Sequence, residues 1–210
     1  ANSRVYCLPT AETAAGMTDA LKRFAELHGA PVAETQGGKG SLAWDHPLQA
    51  GAIGVTGSPA ANVLAREADC VLAIGTRLQD FTTGSHALFP QARLVSLNVN
   101  GFDALKWHGT MLRADARRGL EALSAALGGW RSDAAWRARA TDEAGRWRAD
   151  LARVTGVRDV ALPCDGEVIG AVQRSAEADQ YVPLTPGQLG HGHRSTEAVN
   201  RSRIVRLTKR

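Results

Sequence analysis

Cysteine is scarce in this chain and poorly spaced for chemistry. The 210 residues hold three, Cys7, Cys70 and Cys164, far apart and with no Cys-x-x-Cys pair. An odd, scattered set argues against a disulfide framework and against a thiolate zinc site. Cys70, at the head of an apolar run, is expected to be a small buried hydrophobe. No apolar run approaches the ~20 residues that span a bilayer. The amino-terminal residues lack the basic, apolar, small-residue order of a secretory signal. The expectation is a cytoplasmic protein with no membrane partner. A Gly-x-Ser-x-Gly elbow is also missing, and no Ser/His/Asp set can be assembled. Of the six histidines, His28, His46, His86 and His108 show no ligand spacing, and His191 and His193 lie near the carboxyl terminus.

What is present is ordinary for a soluble globular chain, with 44% hydrophobic and 22% charged residues. The net charge of +4 is unevenly placed, because from His191 onward five arginines and one lysine face a single acid, Glu197. Without that basic tail the chain is close to neutral. Phosphate attraction by a mobile cationic end is non-specific, so no nucleic-acid partner is expected.

Short apolar runs alternate with helical patterns. Val5 to Leu8 reads as a short strand closed by Pro9. Thr18 is expected to cap a helix to about His28, with Leu21, Phe24, Ala25 and Leu27 on its apolar face. Pro31 to Thr35 is a strand and Ala52 to Val55 a second candidate. Ser58 and Pro59 start a helix that runs to about Ala68. Cys70 to Ile74 and Leu94 to Asn98 are strands, and Met111 to Ala114 a short last one. Ala116 to Leu127 is a helix ended by Gly128-Gly129. Strands alternating with helices of about ten residues predict an α/β fold, a parallel sheet with helices on both faces. In such sheets ligands bind beyond the carboxyl ends of the strands. After Gly129, Trp130 to Val154 predicts one long helix whose tryptophans pack on the domain or on a neighbouring subunit. Pro163 ends a linker, and Asp165 is expected to cap a helix over Gly166 to Ala176. Residues 177–210 show little periodicity beyond a possible strand at Ile204 to Leu207 and are expected to be poorly ordered.

Two loops leave strand ends with chemistry in them. Gln36-Gly-Gly-Lys-Gly-Ser41 is not a Walker loop, because Gly40 follows the lysine. Its glycines either let the backbone approach a ligand or simply make a tight turn. Gly75-Thr-Arg-Leu-Gln-Asp-Phe-Thr-Thr-Gly84 carries Arg77, which either meets a phosphate or carboxylate or pairs internally with Asp80. Gly37, Lys39, Gly75, Thr76 and Arg77 are therefore the candidate cofactor-binding residues.

The segments Pro31-Val-Ala-Glu-Thr-Gln-Gly-Gly-Lys-Gly-Ser-Leu-Ala-Trp-Asp-His-Pro47, Gly51-Ala-Ile-Gly-Val-Thr-Gly57 and Ala68-Asp-Cys-Val-Leu-Ala-Ile-Gly-Thr-Arg-Leu-Gln-Asp-Phe-Thr-Thr-Gly84 resemble the central domain of thiamine-diphosphate enzymes, the acetolactate synthase superfamily. Glu34-Thr-Gln36, Ala43-Trp-Asp-His-Pro47 and Gln79 to Gly84 are similar in particular to the trihydroxycyclohexane-1,2-dione acylhydrolases of myo-inositol breakdown. The likeness runs from about Thr18 to Ala176.

The resemblance implies a Rossmann-like central domain with a six-stranded parallel sheet. In relatives this domain carries flavin or ADP, or nothing. A first domain supplies the glutamate that activates the cofactor. A third supplies a Gly-Asp-Gly motif and an Asn that hold magnesium and the diphosphate of thiamine diphosphate. Arg4 to Gly16 does not match the glycine-ended strand that opens the domain in relatives. Asp165-Gly-Glu-Val-Ile-Gly170 resembles the first helix of the third domain, and the likeness stops after Ala176. The resulting expectation is a central domain over 1–129, a helical linker over 130–164, the start of a truncated cofactor domain over 165–176 and an unrelated basic tail over 177–210. Neither thiamine diphosphate nor magnesium is expected to bind this chain. A homo-oligomer is expected. The rival readings are a stand-alone nucleotide- or flavin-binding module, an acetolactate-synthase-like fragment, and a non-catalytic oligomerisation unit.

Overall fold

The structure, a computed structural model, describes residues 4–10, 17–158 and 162–175. The expectations for 177–210, including a strand at Ile204 to Leu207, lie outside the described residues. The chain divides into two compact units, Ala1–Trp147 and Arg148–Arg210.

The first unit holds a six-stranded, all-parallel sheet in the order β3-β2-β1-β4-β5-β6. The strands are β1 (Val5–Pro9), β2 (Val32–Glu34), β3 (Gln49–Ala52), β4 (Cys70–Ile74), β5 (Arg93–Leu97) and β6 (Thr110–Leu112). The helices are α1 (Met17–His28), α2 (Pro59–Glu67), α3 (Asp80–Thr83), α4 (Gly101–Ala104), α5 (Ala116–Leu127) and α6 (Ala134–Thr155), with α7 (Asp165–Ser175) in the second unit. Period-two alternation sorts the side chains between two layers. Tyr6, Leu8, Val71 and Ala73 face Ala61, Leu64 and Ala65 of α2 and Trp136 and Ala140 of α6. Cys7, Leu72 and Ile74 face Leu21, Phe24 and Ala25 of α1 and Ala116 and Leu120 of α5. A sheet buried on both faces in this way is the expected α/β architecture.

Several sequence expectations need correction. Pro9 does not close β1 early. It is the last residue of a central strand and pairs with Ile74. Its carbonyl accepts the Thr35 N–H, and its missing donor falls only at the strand's end. The apolar run Ala52 to Val55 is not β3. The strand lies three residues earlier, paired as Val32↔Gln49 and Glu34↔Ala52. Gly54, at φ +119°, turns the chain out of the sheet, and Val55 is exposed. Thr18 sits inside α1 rather than capping it, and Leu27 lies off the buried stripe of Met17, Ala20, Leu21, Phe24, Ala25 and His28. Cys70 is only partly buried, whereas Cys7 is fully buried. The long helix starts at Ala134, where the Asp133 carboxylate accepts the N–H groups of Ala135 and Trp136. Trp130 stays outside it, and its carbonyl meets Nδ1 of the buried His28 at 2.7 Å.

In the second unit Asp165 is the first residue of α7, not its cap. The Cys164 carbonyl accepts the Glu167 and Val168 N–H groups, and the Glu167 carboxylate accepts the Cys164 N–H at 2.8 Å. The carboxylate contact is the Glu half of a capping box, and the carbonyl contacts are the opening backbone bonds of the helix. Arg158, hydrogen-bonded to Glu167 at 2.8 Å, holds that carboxyl down at about 2.

Among the described non-glycine residues, Leu78, Ser85, His86, Trp107 and His108 have left-handed φ between 50° and 72°. Each costs about 1–2 kcal/mol of backbone strain. Four of them form two consecutive pairs, and the rings of His86 and Trp107 stack with centroids 3.4 Å apart.

Candidate functional site

The order of the strands reverses between β1 and β4. Their carboxyl ends form the crevice where doubly wound sheets take ligands. Thr10 follows β1, Thr35 and the glycine loop follow β2, Gly75 and Thr76 follow β4, and Asn98 follows β5. The structure thus brings both candidate loops to one edge, on either side of β1 and about 10 Å apart, two strand spacings. Gly37, Lys39 and Arg77 are exposed there, Gly75 is half-buried and Thr76 is buried.

The glycine loop is organised from within. It begins with a 3₁₀ turn, Gln36–Gly38, capped by Thr35, whose Oγ1 accepts the Gly38 N–H at 3.0 Å and donates to the Pro9 carbonyl. Thr10 Oγ1 lies 2.7 Å from Thr35 Oγ1 and ties β1 to the loop. Gly38 is a glycine for packing reasons, because a Cβ there would lie 2.1 Å from the Pro9 carbonyl oxygen. The N–H groups of Gly40 and Leu42 both donate to Oε1 of Glu34, at 2.8 and 3.2 Å. The Ser41 N–H donates to the Gly38 carbonyl. An internal carboxylate therefore sits where a phosphate loop would hold an anion. Burial pushes the Glu34 carboxyl up to about 7; the Leu42 and Gly40 amides, the Lys39 charge and the Gln49 side chain oppose that rise.

The second loop is also braced. The Gly75 N–H donates to the Leu97 carbonyl, and Asn98 Nδ2 donates to the Thr76 carbonyl at 3.2 Å. Thr76 Oγ1 accepts the N–H of Leu78 at 3.2 Å. Lys106 donates from Nζ to the Arg77 carbonyl at 2.9 Å and pairs with Asp103 at 2.7 Å. Glu34, Asn98 and Lys106 are organising residues that the sequence reading missed. Only Glu34 had a sequence signal, a carboxylate inside a buried strand next to a glycine run. An apolar rim accompanies these loops, with Val55, Phe81, Val99, Phe102 and Leu105 all exposed.

The donor set at this edge does not suit a magnesium diphosphate, which needs several oxygen ligands around the metal. Glu34 is turned into its own loop and Asp103 is engaged by Lys106 and Asn100. Among the described residues no three His, Cys, Asp or Glu side chains converge as metal ligands. No described helix is long and apolar enough to cross a membrane.

A six-stranded, all-parallel sheet wound in both directions from β1 and β4 defines the Rossmann-like class of α/β folds. The family model for the thiamine pyrophosphate enzyme central domain matches residues 10–123, more than half of the chain, and the chain belongs to that family. It is 43% identical over 139 residues to the 3D-(3,5/4)-trihydroxycyclohexane-1,2-dione hydrolase of Geobacillus thermodenitrificans (strain NG80-2), across 66% of this chain and 21% of that protein. It is 36% identical over 142 residues to the protein of the same name from Clostridium perfringens (strain ATCC 13124), across 67% and 22%. The corresponding Bacillus cereus (strain AH820) protein is 37% identical over 171 residues, across 80% and 26%. The chain spans about a fifth to a quarter of the curated relatives it matches.

Proposed function

We propose that this chain provides the central domain of a thiamine-diphosphate-dependent hydrolase that opens a carbon–carbon bond of a cyclic dione in inositol catabolism. The observation that carries this is that relatives at 36–43% identity share one name, that of the dione hydrolase. Acting in the cytoplasm, without nucleic-acid or membrane partners, belongs to the same proposal. A chimera tests it. Residues 10–123 replace the matching segment of the Geobacillus hydrolase, and dione hydrolysis is measured. Retained turnover is expected. A folded chimera that binds cofactor but does not hydrolyse the dione counts against the assignment.

The 210-residue chain alone is proposed to be inactive. It contains no Gly-Asp-Gly motif, and the two buried carboxyls described near the crevice are both engaged, Glu34 by its own loop and Asp103 by Lys106 and Asn100. Calorimetry with thiamine diphosphate and magnesium is expected to give no saturable heat. Micromolar affinity, or dione hydrolysis by the pure chain, would overturn this. Val55, Phe81, Val99, Phe102 and Leu105, all exposed on the loops at this edge, favour self-association, because exposed apolar side chains gathered on one side mark interaction sites. Light scattering should then give a dimer or larger species, and a strict monomer at high concentration would refute it.

A second reading, a nucleotide or flavin site, is favoured by Gly75 and Thr76 at the switch point. Arg77→Ala should then weaken nucleotide binding more than Lys22→Ala, and equal effects would remove the assignment.

A further inference from the structure

The opposite, amino-terminal edge of the sheet holds a cavity of about 450 Å³ that the proposed function does not use. It lies at the start of β5 and β6. Phe89 and Leu94 give it apolar walls, and His86, Arg93, Trp107 and His108 line the rest. The size falls within the range of small-molecule sites.

Charge is unbalanced there in one direction. No carboxylate lines the cavity. The acid that Arg93 feels is Asp69. Arg4 already takes both oxygens of that acid, at 2.7 and 3.2 Å. The Arg93 side chain makes no hydrogen bond or ion pair among the described residues, so this cluster of two arginines and one aspartate leaves a guanidinium at the rim.

Shape is committed as well. Left-handed backbone at Ser85, His86, Trp107 and His108 lays the imidazole of His86 on the indole of Trp107, at 27° between planes. None of these four is a glycine, so the surrounding structure maintains the strain, as it does where strain is tied to binding. The result is a flat π-surface beside an uncommitted guanidinium. Flat rings stack on the first, and the second matches a carboxylate in bidentate fashion.

We infer that this cavity binds a planar aromatic carboxylate, with its ring against His86, Trp107 and Phe89 and its carboxylate on Arg93. The probe is 2-naphthoate, titrated calorimetrically into the full chain, with 2-naphthalenemethanol as a neutral ring of the same shape. Saturable one-to-one binding of the carboxylate is expected, with the alcohol about tenfold weaker or worse, the worth of a charge-assisted hydrogen bond. Arg93→Gln, an exposed change at the first residue of β5, should weaken naphthoate by a similar factor and leave the alcohol unaffected. Arg117→Gln on α5 should change neither. Absence of saturable heat at millimolar naphthoate overturns the inference. So does equal binding of acid and alcohol by the unaltered chain, a result that does not depend on any variant folding.

Discussion

Replacing Glu34 by glutamine removes a buried charge and little volume. Glu34 is 7% exposed, and burial raises its carboxyl from 4.5 to about 7. Between those pH values the folded chain keeps a proton that the unfolded chain has released. Its contribution to stability is therefore fully present below pH 4.5, declines as pH rises and is gone above 7. At about 1.36 kcal/mol per pH unit the decline amounts to about 3 kcal/mol. Glutamine has no such slope. Its amide oxygen can still accept from Gly40 and Leu42, while its NH₂ meets the Gln49 side chain less well, a loss of about 1 kcal/mol.

The two chains should thus be within about 1 kcal/mol of each other at pH 4, and the variant about 2 kcal/mol more stable at pH 8. Urea unfolding followed by circular dichroism across this range measures both. Every other titrating group is shared, so the difference between the curves isolates Glu34. Parallel curves, or a variant less stable at pH 8, would refute the claim that a desolvated carboxyl sits under the glycine loop.

Five further substitutions probe the same framework by urea unfolding. Gly38→Ala, with its Cβ against the Pro9 backbone, should cost about 3 kcal/mol or more, whereas Gly37→Ala, whose nearest neighbour is a Thr10 methyl at 3.3 Å, should cost under about 1 kcal/mol. Trp136→Ala empties a core position and removes the indole bond to the Val5 carbonyl, for a loss of about 3–5 kcal/mol; Trp136→Phe should lose about 1–2 kcal/mol. Arg4→Ala should cost under about 1 kcal/mol despite its paired contacts, because both side chains of the Arg4–Asp69 pair are more than a third exposed.

Elements whose boundaries rest on local chemistry were legible in the sequence. Cys70 to Ile74 is bounded by Asp69 and Gly75, Ser58-Pro59 caps α2, and Gly128 ends α5. β3 was not legible, because Ala52 to Val55 is the more apolar run. Its true span, Gln49 to Ala52, is set by a register irregularity opposite Val32 and Glu34 and by the turn at Gly54. The start of α6 was missed because Trp130 and Arg131 share the Arg- and Trp-rich composition of the helix, and only the Asp133 cap separates them from it. The left-handed pairs at Ser85-His86 and Trp107-His108 leave no sequence trace, since none of the four is glycine.

For the candidate site, the sequence located the loops but not the partners of their amides, and those partners govern any ligand. The N–H groups of Gly40 and Leu42 are committed to Glu34. An anionic ligand seated on Gly37 and Lys39 must therefore compete with the carboxylate for those donors and repel its charge. Protonation of Glu34 relieves both penalties. If ADP binds with its phosphates on this loop, its affinity should fall as pH rises through about 7, the value to which burial raises the Glu34 carboxyl. By linkage the fall is at most about tenfold per pH unit for a single proton. Calorimetry at pH 6 and pH 8 measures it. Glu34→Gln should bind ADP equally at both pH values once the titration of the nucleotide's own phosphates is corrected for. A pH-independent affinity in the unaltered chain would take the glycine loop out of the site and leave Gly75, Thr76 and Arg77 to hold the ligand.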